Sequence, residues 1–279
     1  MSFGLKEGKI RIMLSAFYLI FFFFGLAAGS FLNCIIYRLE IKSSFLRGRS
    51  FCPHCKHILS WQDLIPVFSF LILKGKCSYC DKKISWQYPL VELATGILFV
   101  LVINNQYPIL NFQSLLFTVY RLLISCFLII IFIYDLKHYI IPDKVIYPAI
   151  VMAIVWLGLN SIFFNAHPKS YLLNSISSAL GAALFFWAIV LVSKGKWMGL
   201  GDIKLAFLMG LFLGFPEILV ALFGGFLIGA IIGLGLVATK KKTLESEVPF
   251  APFLVAGTFI ATLWGESLIS WYLSLFLFY

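Results

Sequence analysis

Charge is what this chain has least of. Only 12% of its 279 residues are charged, and just 12 residues are Asp or Glu, against about 25% charged in ordinary soluble domains. Set beside 61% hydrophobic residues, that scarcity excludes a water-soluble globular domain and leaves an all-α polytopic membrane protein. No internal repeat, low-complexity linker or glycine-rich nucleotide-binding loop is present. The net charge of +10 does not argue for nucleic acid, because the basic residues lie in the loops between apolar runs.

The apolar runs supply about eight transmembrane helices. The first covers 13–37, and others are expected near 88–103, 113–134, 145–164, 171–193, 203–215, 217–238 and 252–277. The amino terminus, with Lys6, Lys9 and Arg11 before an apolar stretch, resembles a signal peptide. Its apolar character continues through Tyr37, however, so a retained span is expected. The run at 203–215 is short, as for a helix entering the membrane beside the Gly199-Leu200-Gly201-Asp202 turn. Placing the long polar loop in the cytosol puts 17 of the 22 basic residues on that face, including Arg47, Lys196 and Lys240 to Lys242. The organisation expected is a first span (1–38), a small cytosolic zinc-ribbon-like loop (39–87) and a transmembrane core (88–279).

Four of six cysteines, Cys52, Cys55, Cys77 and Cys80, form two CxxC pairs. Each pair can bend around an ion in a tight knuckle, and four thiolates saturate a structural zinc site with no open position for water. Two disulfides are the alternative if the loop faces an oxidising compartment. His54 and His57 read as surface residues, and Cys34 and Cys126 as core. Trp61, Trp86 and the segment 63–66 are expected to pack the module against the membrane surface, and the module could equally be a docking ribbon for a protein partner.

Against this apolar background, single acids stand out. Asp202 follows Gly199 and Gly201, which can adopt left-handed torsions or admit close backbone approach. It reads either as a helix cap or as a functional acid at the membrane edge. Asp135 ends a long apolar run at the same expected depth and face. Two carboxylates brought together cannot both ionise easily, so one keeps a proton while the other can deprotonate water. Asp143 competes with Asp135 for that role but also reads as a cap, and Asp135 could instead be a solvated acid facing Lys137. Glu92, one turn inside the second span, is expected to pair with a lysine of the zinc loop or to serve a second site. Glu266 has no account.

These stretches resemble the bacterial type IV prepilin peptidases, membrane aspartic proteases of the GxGD type. The resemblance is carried by Gly29-Ser30-Phe31-Leu32-Asn33, the CxxC pairs, Trp61 through Pro66, Tyr88-Pro89-Leu90-Val91-Glu92, Asp135 with Pro142-Asp143, Gly199-Leu200-Gly201-Asp202 with Lys204, and Pro249 through Phe253. It implies that Asp135 and Asp202 are the catalytic pair and that prepilin or pseudopilin precursors are cleaved on the cytosolic side of the bacterial inner membrane. It also implies that the new amino terminus is methylated with S-adenosylmethionine. In this reading Gly199 and Gly201 make room for the substrate backbone, and Lys204 holds the dyad partly ionised or contacts phospholipid. Gln87, where Arg is expected, and Ala251, where Gly is common, depart from the family pattern. The rival classes are a transporter whose proton or cation path uses Asp135, Asp202, Glu92 and Glu266, and a membrane scaffold that docks a partner through its zinc module.

Overall fold

A computed structural model describes residues 2–44, 48–105, 111–163, 168–195, 198–239 and 248–277. Arg47, Lys196 and Lys240 to Lys242, used above to orient the chain, lie outside the described residues. Among the described residues are α1 (Ser2–Glu40), a 3-10 turn (Gln62–Leu64), α2 (Phe68–Ile72), α3 (Gln87–Asn104), α4 (Phe112–His138), α5 (Asp143–Phe163), α6 (Pro168–Ser193), α7 (Leu200–Leu213), α8 (Glu217–Ala238) and α9 (Ala251–Leu277). Seven of these helices are long and apolar enough to cross a membrane, so the chain is a multi-pass membrane protein. The short segment expected near 203–215 is α7, whose 14 residues span only ~21 Å. The chain divides into two compact units, Met1–Leu122 and Leu123–Tyr279.

In the first unit α1 and α3 run antiparallel at very close range. An ideal Cβ at Gly29 would lie 2.7 Å from the Glu92 Cα, and one at Gly25 would lie 2.7 Å from the Gly96 Cα. Small residues let membrane helices approach until their backbones touch, which supplies the packing that lipid-solvated apolar side chains alone do not.

Within the second unit α6 and α7 also meet backbone to backbone, where a Cβ on Gly210 would overlap the Ala179 backbone. Gly210→Ala must therefore push the helices apart, at about 1–3 kcal/mol for overpacking. The expected result is a lower melting temperature together with a fall in turnover, because α7 also carries Asp202. An unchanged melting temperature would show that the helices do not meet there.

The far end of α7 is held as well. The Asn174 side chain donates to the Phe215 carbonyl at 3.0 Å and accepts from its N–H at 3.1 Å. From Asn174 to the end of α6 at Ser193 is 19 residues, or ~29 Å, whereas α7 rises only about 20 Å. The amino terminus of α7 thus stops roughly one to two turns short of the α6 terminus, and Asp202 in that first turn is buried.

Candidate active site

Asp135 sits on the last turn of α4 and Asp202 on the first turn of α7. Helix α4 ends when Tyr139, at φ 57°, donates its N–H to the Asp135 carbonyl at 2.9 Å. The chain then lays Ile141 on Gly201, where an ideal Cβ would stand 3.2 Å from the Ile141 Cβ. That contact seats the loop after Asp135 on the turn that bears Asp202. Both side chains are buried, at 5% and 9% exposure.

Each carboxylate also meets a helix amino terminus. Gly199 donates its N–H to Asp202 Oδ2 at 3.3 Å, and Asp202 returns its own N–H to the Gly199 carbonyl at 3.2 Å. Asp135 accepts the backbone N–H of Ala251, the first residue of α9. Free N–H groups and the helix dipole favour negative charge at such ends, which offsets part of the cost of burying each carboxylate. Asp202 is the third residue of its helix, and the reciprocal bonds make it a cap from inside the first turn. It therefore combines the capping reading with a buried carboxylate beside a second acid.

Of the two uses open to the glycines of the Gly-Leu-Gly-Asp turn, close approach is the one taken. Gly199 is extended at φ −85°, and Gly201 is helical. The missing side chains serve close approach: Ile141 occupies the space beside Gly201, and the Gly199 N–H reaches the Asp202 carboxylate. Lys204 Nζ lies 2.6 Å from Asp143 Oδ1 and 4.9 Å from the centre of the Tyr147 ring. Asp143 begins α5 and is exposed, so this pair ties α7 to α5 at the surface.

In the first unit Glu92 is buried, and its Oε2 accepts the Val67 N–H at 2.8 Å. The lysine partner expected for it is replaced by a backbone donor. Val67 has φ 62° and ψ −49°, and the Phe68 N–H bonds the Pro66 carbonyl at 2.6 Å. That is a γ-turn, a conformation rare and strained for a β-branched residue, and Glu92 holds it. Glu92→Ala removes the acceptor from a buried N–H, a loss of about 1–3 kcal/mol. It is expected to speed amide exchange across 67–72, and wild-type exchange rates would remove this role. Glu266 is exposed on α9.

The four cysteine sulfurs all lie within 4.8 Å of one another. Two matching turns place them. The N–H of Cys52 bonds the His57 carbonyl and that of Cys77 the Lys82 carbonyl, each at 2.9 Å, and isolated bridges join Phe51 to Ile58 and Lys76 to Lys83. Lys56 and Asp81 take the positive-φ corner in each turn. The Cys52 and Cys80 sulfurs are 3.9 Å apart, too far for a disulfide and close to the ~3.8 Å edge of a tetrahedron with 2.3 Å metal–sulfur bonds. The cluster could hold a metal ion. His57 packs against the Tyr79 ring at 3.7 Å instead of joining it. Asp63 fastens the second turn by accepting from Ser60, Ser78 and Tyr79. Partial burial works to raise its carboxyl, but these donors hold it below the usual carboxylate range.

Residues 23–106 match the bacterial peptidase A24 N-terminal domain, and residues 122–234 match the type IV leader peptidase family. Among relatives, the prepilin leader peptidase/N-methyltransferase of Bacillus subtilis (strain 168) is 34% identical, covering 92% of this chain and 98% of its own length. Those of Legionella pneumophila and Aeromonas hydrophila are 33% and 32% identical over 92% of this chain, and over 94% and 93% of their own lengths. The chain belongs to the type IV leader peptidase family. No solved structure matches it. Of the two departures from the family pattern, Gln87 donates to Asn33 Oδ1 at 3.2 Å, while Asn33 in turn donates to the Tyr88 carbonyl at 3.0 Å. The other, Ala251, contributes only its backbone N–H to Asp135, a bond that any residue except proline supplies.

Several contacts of this leader peptidase fold lie beyond sequence reasoning. The Ala251 N–H and the Val67 N–H are backbone donors and carry no side-chain signature. The position of Ala251 just after Pro249-Phe250, at the start of an apolar run, is the one available hint that a helix amino terminus lies there.

Proposed function

We propose that Asp135 and Asp202 form a catalytic aspartic dyad that removes the basic leader from prepilin or pseudopilin precursors. The supporting observation is that two buried acids lie on elements that pack together, Ile141 after Asp135 resting on Gly201 before Asp202. Mutual repulsion keeps one proton on the pair. The ionised member takes a proton from water as the water oxygen attacks the scissile carbonyl. The protonated member gives its proton to the leaving amine as the carbon–nitrogen bond breaks. Because the pair titrates as a unit, the proton belongs to the pair and to neither acid alone.

In this reading the same protein then methylates the amine it has released, with S-adenosylmethionine as co-substrate. The methyl group passes from the sulfonium to the amine nitrogen, which gives up a proton. The printed names of its relatives support this second activity, and no described side chain is assigned to it. Zinc is the metal proposed for Cys52, Cys55, Cys77 and Cys80. The all-thiolate donor set and sulfur spacing suit it, and a closed site of this kind supplies folding energy without chemistry. The excess of basic residues on one face supports a bacterial inner-membrane location with the dyad facing the cytosol.

The test is incubation of purified protein with a model precursor, with and without S-adenosylmethionine, followed by mass spectrometry of the products. Expected are leader loss in both reactions and one added methyl group only when the donor is present. An intact precursor would overturn the protease reading, and a cleaved but unmodified product would overturn methyl transfer.

A further inference from the structure

We propose that α2 is a re-entrant anchor, with Phe68, Leu71 and Ile72 embedded in the hydrocarbon of the bilayer beside α1 and α3. The depth of α3 in the bilayer places it there. Helix α3 has 18 residues and measures ~27 Å, against a hydrocarbon thickness of about 30 Å. It has nothing to spare, so Gln87 must stand at the membrane edge and Glu92, five residues further on, ~7 Å inside it. The packing partner agrees: Glu92 is level with Gly29, which lies eleven residues before the end of α1.

Glu92 then fixes the depth of the loop. Its carboxylate grips the Val67 N–H at 2.8 Å, and a glutamate side chain leans back toward the start of its own helix. Val67 therefore sits alongside the first turns of α3, and α2 starts at the next residue. The exposed side chains of α2 are 51% (Phe68), 62% (Leu71) and 76% (Ile72) accessible, a costly arrangement in water and a favourable one in lipid.

The rest of the segment has the layering of an interface. Trp86, directly before α3 and 68% exposed, packs its ring tilted against Phe70 at 4.9 Å, and indole rings favour the headgroup level. Lys74 and Lys76, both exposed, follow α2 at once and offer positive charge to anionic headgroups. The occupant of this face is thus the lipid itself. The assignment needs only the membrane placement of α1 and α3, so it stands or falls apart from the Asp135–Asp202 dyad.

The experiment uses the full chain in vesicles of phosphatidylcholine and phosphatidylglycerol, with photoreactive benzoylphenylalanine replacing Ile72 or, as control, Lys83. Lipid adducts at 72 and none at 83 are expected by mass spectrometry. Adducts at 72 to this chain or to a second copy, or equal lipid labelling at both positions, would overturn the proposal. Trypsin provides the second reading. In vesicles Ile72→Asp should be cut at Lys74 and Lys76 about tenfold faster than the native chain, since it exchanges lipid-buried apolar area for a charge, whereas Ile72→Leu should not differ. Because the side chain is exposed, the variant leaves the core intact, and equal cutting of Ile72→Asp and native protein would count against the anchor.

Discussion

Asp202→Asn and Asp135→Asn should each lower leader removal by about a thousandfold, the middle of the range for losing one side of an acid–base pair. Asparagine keeps the shape of the side chain and an oxygen for the Gly199 or Ala251 N–H, so the local fold survives. It also removes a buried charge, and neither variant should melt below the native protein. Lost activity with retained stability separates catalysis from a structural role. The native pH profile should be bell-shaped, because the dyad works with one proton: both acids are protonated on the acid limb and both ionised on the alkaline limb. The asparagine variants should still methylate a peptide supplied already cleaved. Full cleavage by either variant would remove the dyad.

The second large effect is expected from the cysteine cluster. Cys77 is buried, and its N–H and sulfur both organise the second turn. Cys77→Ser should lose the bound metal and let the segment 50–84 unfold locally, since structural zinc contributes ~10–16 kcal/mol of apparent binding free energy in small domains. Metal content by mass spectrometry should fall from one equivalent to near zero, and cleavage by trypsin at Lys82 and Lys83 should accelerate strongly. Chelation of the native protein should reproduce the change, and added zinc should reverse it. A metal-free native protein with the same protease resistance would show that the four sulfurs need no ion.

Much of the architecture was legible from residue order because the membrane imposes a length. The expected runs at 88–103 and 217–238 match α3 and α8 to within one residue, since each must satisfy its backbone across the hydrocarbon. The cysteine turns were legible for a similar reason, as two-residue gaps suit a single ion. Which use Gly199 and Gly201 serve was not legible because glycine permits both torsional freedom and close approach, and only the position of Ile141 shows that space was needed. The partner of Glu92 was misread because its donor is a backbone N–H that every non-proline residue possesses. Lys204 and Asp143 are 61 residues apart, and nothing in their order predicts that they pair.

By itself, then, the sequence determined that this is a multi-pass helical membrane protein, where its spans begin and end, which four sulfurs can converge, and which acids are out of place in an apolar chain. Tertiary structure alone decided that the loop after Asp135 packs on the turn carrying Asp202, that α9 lends its first N–H to Asp135, and that both acids are buried. The difference is physical. Hydrophobic length and ligand spacing are local properties written along the chain, whereas the meeting of two carboxylates depends on how closely glycine-faced helices pack and on where each one ends.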